Sequence, residues 1–255
     1  MALDVAVWKV QQLRTITDDV FHEDMNYVPP YKPPRSPGSV YDSLRLAWRG
    51  IFACTMRIRI AGVEHLPVNG GLILAVCHVS HLDPVVVSAL LSRRIGWMAR
   101  SEFYRSWAAR TVLHCGGAFP VNRTGAALPT VREGVRRLRR GEVVGIFPEG
   151  EIMRGTASVL RGGPVKQGAG LLASRTGCPV VPVVVLGTDR LGKVGPWLPA
   201  KRGRLWLRIG PAMRPDQEGP AKIRRAIFAK RLEAEFVRLF AEGQLDWGLP
   251  ESIVP

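Results

Sequence analysis

The sequence lacks any apolar run approaching the roughly 18–20 residues that a membrane-spanning helix needs. A chain of this kind that meets a bilayer is expected to lie on its surface. Cysteine is scarce: Cys54, Cys77, Cys115 and Cys178 stand far apart, and none makes a C-x-x-C pair. That spacing argues against a zinc site and reads as reduced, buried thiols of a cytosolic protein. No Gly-x-Ser-x-Gly occurs, which argues against a serine hydrolase of the nucleophile-elbow kind. The N-terminus lacks the basic start and apolar core of a signal peptide. Internal repeats and low-complexity tracts are absent. Acid is short relative to base, with 21 Asp and Glu against 36 Lys and Arg, a net charge of +15. Such an excess calls for an anionic partner: membrane phospholipid, nucleic acid or a phosphorylated substrate. The basic residues are dispersed, with no helix-turn-helix or aromatic RNA-binding signature, so nucleic acid is not expected.

What is present is enough apolar residue, 46% of 255, for a sizeable core. Residues 3–21 place Leu3, Val7, Val10, Leu13, Ile16 and Val20 at helical spacing, and residues 40–54 do the same with Leu44, Trp48, Ile51 and Phe52. The prolines of 28–38 forbid a helix between them. Both segments suit packing on the body of the protein or, with Arg45 and Arg49 beside the second, a place in a bilayer interface. From residue 57 onward strands and helices alternate. The expected class is α/β, a single mixed, partly parallel sheet flanked by helices, with an N-terminal amphipathic helical segment. The expected division is 1–56 for that segment and its linker, and 57–255 for the main domain. Strands are expected at 57–60, 72–76, 95–99, 143–147 and 180–186, with an edge or outer strand at 204–209. Helices are expected at 84–92, 103–113, 128–140, 167–176 and 220–240, the last turning Ile223, Ile227, Phe228, Leu232, Phe236 and Phe240 to the core.

The stretch Cys77-His78-Val79-Ser80-His81-Leu82-Asp83-Pro84 organises the chain. An apolar strand delivers it to His78, and Asp83-Pro84 opens a helix, since Asp precedes and Pro begins helices readily. On a regular helix positions five apart diverge by about 140°, but a bent strand-to-helix turn folds the two side chains together. A carboxylate on one imidazole nitrogen fixes the tautomer and leaves the other nitrogen free to take a proton. Read alone, the pair is equally a helix cap beside a turn histidine. His78, His81 and Asp83 also make a conceivable metal set. Gly187 to Lys193 has P-loop spacing, but Val194 stands where Ser or Thr should hold magnesium.

Four segments stand in order: His78-x4-Asp83; Gly117-Ala-Phe119-Pro-Val-Asn-Arg123; Phe147-Pro148-Glu149-Gly150; and Val181-Pro182-Val183-Val184. This set resembles the glycerolipid acyltransferases, typified by the 1-acylglycerol-3-phosphate (lysophosphatidic acid) acyltransferases, over roughly residues 57–212. The resemblance implies His78 as general base, Asp83 as its orienting carboxylate, and Arg123 as the residue that holds the acceptor phosphate. Gly117, Phe119, Pro148, Glu149 and Gly150 fall in the blocks that form the acceptor side of the site. Glu149 has an alternative as a buried acid paired with an arginine. Glu151 and Ile152 replace the usual Thr-Arg, and Arg154 follows two residues late, which leaves the acceptor open to other lysolipids. The resemblance implies no metal and no cofactor; acyl-CoA or acyl-carrier-protein is the donor substrate. The basic surface and the two amphipathic segments are expected to hold the chain, as a peripheral protein, on the cytoplasmic face of a membrane. The competing expectation is a basic membrane-binding protein that keeps the fold without the chemistry.

Overall fold

The computed structural model describes residues 39–104, 107–121, 128–190, 203–250 and 253. The expected helix at 3–21, the linker at 28–38 and Arg123 lie outside the described residues. Every described residue belongs to a compact unit that spans Pro34–Pro255.

Seven strands form one sheet: β1 (Met56–Ala61), β2 (Leu72–Val76), β3 (Ile95–Arg100), β4 (Phe119–Val121), β5 (Val143–Ile146), β6 (Val180–Leu186) and β7 (Gly203–Ile209). Their order across the sheet is β1-β7-β6-β2-β5-β3-β4. All neighbours pair in parallel except β6 and β7. The architecture is a mixed, mostly parallel α/β sheet with flanking helices, as the alternation of elements implied. Strand β2 lies at its centre, between β5 and β6, and all five of its residues are buried. An all-apolar strand is what a parallel sheet covered on both faces selects.

The helices are α1 (Ser39–Thr55), α2 (Asp83–Leu90), α3 (Trp107–Cys115), α4 (Leu128–Arg139), α5 (Gly168–Thr176) and α6 (Ala221–Trp247). Helix α1 is bonded into the body. Phe52 is buried and stacked on Trp48 at 5.5 Å, Arg45 donates to the carbonyls of Leu91 and Ser92, Arg94 pairs with Asp42, and the amide of Ile95 donates to the Tyr41 hydroxyl. Val40 and Leu44, one turn apart, and Leu46, on a different side of the helix, are exposed. Among the described residues, no helix is long and apolar enough to cross a membrane.

Three expectations need correction. The strand at 204–209 is not at an edge: β7 lies between β1 and β6 with Leu205, Trp206, Leu207 and Ile209 buried, because β1 takes the edge instead. The helix expected at 103–113 is a 3-10 turn, Ser101–Tyr104, followed by the separate α3. Helix α6 buries Phe228, Leu232, Phe236, Leu239, Phe240 and Gly243, whereas Ile223 and Ile227 are exposed. Those two isoleucines sit about 140° and 100° around the helix from Phe228 and miss the buried stripe.

Candidate active site

Parallel pairing brings the carboxyl ends of β2, β5 and β6 to one edge of the sheet, where open α/β sheets place their ligands. His78 follows β2. Phe147 and Glu149 follow β5 on one side of it, and Thr188 follows β6 on the other.

Asp83, in the first turn of α2, is fully buried and is the hub of this edge. Its Oδ2 accepts from Nδ1–H of His78 at 2.9 Å and from the amides of Val79 at 2.8 Å and Ser80 at 2.9 Å. Its Oδ1 accepts from the Thr188 hydroxyl at 2.5 Å. Four donors on one carboxylate compensate the cost of burying its charge. The same bonds wrap residues 78–80 around the helix entrance and so fold His78 back onto Asp83. The His78 imidazole is stacked on Phe147, ring centres 3.9 Å apart, and Phe147 in turn on Trp97 at 5.1 Å. Trp97 is fixed by donation from its indole N–H to Ser88. Held on one nitrogen and one face, His78 keeps Nε2 without a partner among the described residues.

Glu149 is buried with a different job from either expected one. Its Oε2 accepts from the backbone amide of His78 at 2.6 Å and its Oε1 from that of Val159 at 3.0 Å. It braces the His78 turn from the β5 side; no arginine pairs with it among the described residues, and its carboxylate is turned to the interior. Burial pushes its carboxyl above the usual glutamate value, against the pull of the two amides. Gly150 closes the turn by donating to the Phe147 carbonyl at 2.9 Å with φ at 85°, a conformation that favours glycine. Pro148 is buried, and its carbonyl accepts from the amide of Lys166. Glu151 faces Arg100, at the end of β3, across 3.5 Å.

Other residues expected at the site are elsewhere. Gly117 precedes β4 and abuts the Ile95 carbonyl and the Tyr41 ring, at the amino end of the strands. Phe119 is buried beneath the Arg137 guanidinium, 4.6 Å from its ring centre. Arg154 is exposed at the head of the 3-10 turn Gly155–Ala157. Val121, opposite Arg100, is the last described residue before the segment that carries Arg123.

Cys77 is not a nucleophile in this setting. Its thiol is fully buried, donates to the Val185 carbonyl and accepts from the Val185 amide, and burial with the nearby Glu149 and Asp83 charges pushes its ionisation well up. The metal set imagined for His78, His81 and Asp83 does not form either. Asp83 is filled by protein donors, and the His81 ring stands edge-on to His78 at 6.3 Å. Thr188 is the partner of Asp83 that the sequence did not announce.

The site's geometry, an imidazole oriented by a buried carboxylate with one ring nitrogen open among the described residues, suits proton removal from a hydroxyl. The acyltransferase family model matches residues 57–186, half of the chain. The chain belongs to the acyltransferase family. It is an enzyme of that type. The family match encloses His78, Asp83, Phe147 and Glu149 and ends with strand β6. A 1-acyl-sn-glycerol-3-phosphate acyltransferase of Bacillus subtilis is 27% identical over 192 residues, covering 74% of this chain and 90% of its own length. A protein of the same name from Borreliella burgdorferi is 26% identical over 137 residues, 52% of this chain and 53% of its own. The crystal structure of the 1-acyl-sn-glycerophosphate (LPA) acyltransferase PlsC from Thermotoga maritima superposes with a TM-score of 0.54 at 20% identity, covering 77% of this chain and 78% of that one. That likeness bears on the acyltransferase fold alone.

Proposed function

We propose that this acyltransferase moves a fatty acyl group from a thioester, acyl-CoA or acyl-carrier-protein, to the free hydroxyl of a lysophospholipid, foremost 1-acylglycerol-3-phosphate, giving phosphatidic acid. The observation that carries this reading is the His78–Asp83 pair with Nε2 left open. Nε2 takes the acceptor hydroxyl's proton as the oxygen bonds to the acyl carbon; the carbon–sulfur bond then breaks and the leaving thiolate takes that proton from the imidazolium. Asp83 holds the tautomer and stabilises the imidazolium. No covalent acyl-enzyme is needed, in keeping with the buried Cys77 thiol. The names of the relatives support the acceptor. A second reading, another lysolipid as acceptor, draws on one observation: Glu151, which replaces the usual Thr, pairs with Arg100 and takes up a cation that would otherwise face a phosphate.

The test is release of CoA thiol from a set of acyl-CoAs with lysophosphatidic acid, wild type beside His78→Ala. Loss of at least about 10²-fold, the low end of what general-base catalysis supplies, is expected with the circular dichroism spectrum intact. Equal rates in the two proteins would remove His78 from the chemistry.

A further inference from the structure

The Phe147–Gly150 turn, beside His78, carries a cation that the chemistry above leaves unused. The backbone N–H of Lys166 donates to the Pro148 carbonyl at 2.9 Å, which pins its main chain beside the Phe147–Gly150 turn. Its side chain lies across Gly150. A Cβ added there would collide with the ammonium and stand 3.1 Å from both Cδ and Cε of the lysine. The neighbouring acids are otherwise engaged. Glu149 turns both oxygens inward to amides, and Glu151 faces Arg100. No acid among the described residues pairs with the Lys166 ammonium, and the side chain is exposed to an arriving ligand.

We infer that Lys166 receives the anionic head group of the acceptor, a phosphomonoester. The inference rests on the acyl-transfer reading above. In a 1-acylglycerol-3-phosphate the reacting hydroxyl must reach Nε2 of His78, and the phosphate hangs from the adjoining carbon. The phosphate therefore lies only a few bonds from Nε2, and Lys166 lies across the Phe147–Gly150 turn, whose Phe147 and Glu149 both contact His78. A compact ammonium on a flexible stem suits a phosphate that arrives on a lipid and must leave again.

The experiment measures KM and kcat of wild type, Lys166→Ala and Lys166→Arg with lysophosphatidic acid and with a 1-monoacylglycerol of the same chain. In Lys166→Ala, KM for lysophosphatidic acid rises at least tenfold with kcat little changed, rates with monoacylglycerol match wild type, and Lys166→Arg restores most of the loss. An unchanged KM for lysophosphatidic acid, or a parallel loss with both acceptors, overturns the assignment. Titration calorimetry with sn-glycerol 3-phosphate is the second arm: wild type binds and Lys166→Ala does not. Equal binding by the two, or none by wild type, overturns it as well. This arm needs no turnover, so absence of acyl transfer with every acceptor would remove the proposed reaction while the calorimetry still decides on Lys166.

Discussion

Asp83 has two functions that one substitution cannot separate and two can. It is the acceptor for His78, Val79, Ser80 and Thr188, all at the buried edge of β2. Asp83→Ala strips all four donors of their partner. Counting the Val79 and Ser80 amides and the Thr188 hydroxyl at about 1–3 kcal/mol each gives roughly 3–9 kcal/mol. That is comparable with the whole stability of a domain, about 5–15 kcal/mol. Asp83→Ala is therefore expected to unfold the site and to say nothing about catalysis. Asp83→Asn differs. Its one oxygen, placed where Oδ2 stands, still serves His78, Val79 and Ser80, and its NH2 meets Thr188, whose hydroxyl accepts as readily as it donates. The hydrogen-bond pattern survives with the charge removed.

Two measurements then part company. Asp83→Asn should lose about 1–3 kcal/mol of stability, the difference between charge-assisted and neutral hydrogen bonds. Its kcat should fall about 10²–10⁴-fold, about 3–5 kcal/mol at 1.36 kcal/mol per decade, because the imidazolium formed in the transition state loses its counter-charge. Urea unfolding and the thiol-release assay read the two quantities on the same samples. Thr188→Val, near-isosteric, removes only the donor to Oδ1 and should cost mainly stability. A folded Asp83→Asn enzyme within tenfold of wild-type kcat would refute the reasoning and leave Asp83 as a brace of the turn.

Two further outcomes follow from the same structure. Burial holds the Glu149 carboxyl above its ordinary 4.5, so between that value and the raised one the folded state carries more protons than the unfolded, and wild-type stability falls as pH rises through this window. Glu149→Gln should be less stable by about 1–3 kcal/mol, since its NH2 faces an amide donor, and urea unfolding from pH 4.5 to 7 should show the gap to wild type narrowing as pH rises; a gap that widens would contradict the assignment. On α1, Val40 and Leu44, one turn apart, are exposed apolar side chains on a helix anchored through Phe52, and we propose that they rest on a bilayer. Val40→Asp with Leu44→Asp should weaken co-sedimentation with anionic phospholipid vesicles at unchanged helicity, and full binding by that variant would exclude this surface.

The catalytic turn was legible because its signals are local. An apolar strand, a Pro at the start of a helix and four residues between His78 and Asp83 are all read along one short stretch. What encloses the turn is not local. Thr188 reaches Asp83 only because β6 pairs beside β2, and a lone threonine after a strand carries no mark of that pairing. Glu149 was visible as a residue but not as a brace, since both its partners are backbone amides, which every non-proline residue possesses. Phe119 and Gly117 show the opposite error: nearness in sequence to Arg123 suggested a shared site. Strand β4 is only three residues long and runs parallel to its neighbour, so Gly117, two residues before it, lies toward the amino edge while Val121, its last residue, lies toward the carboxyl edge. Strand direction, more than sequence distance, decides which residues of a motif can meet a substrate. By that criterion Lys166 belongs with His78, because the backbone bond to Pro148 returns it to the carboxyl end of β5.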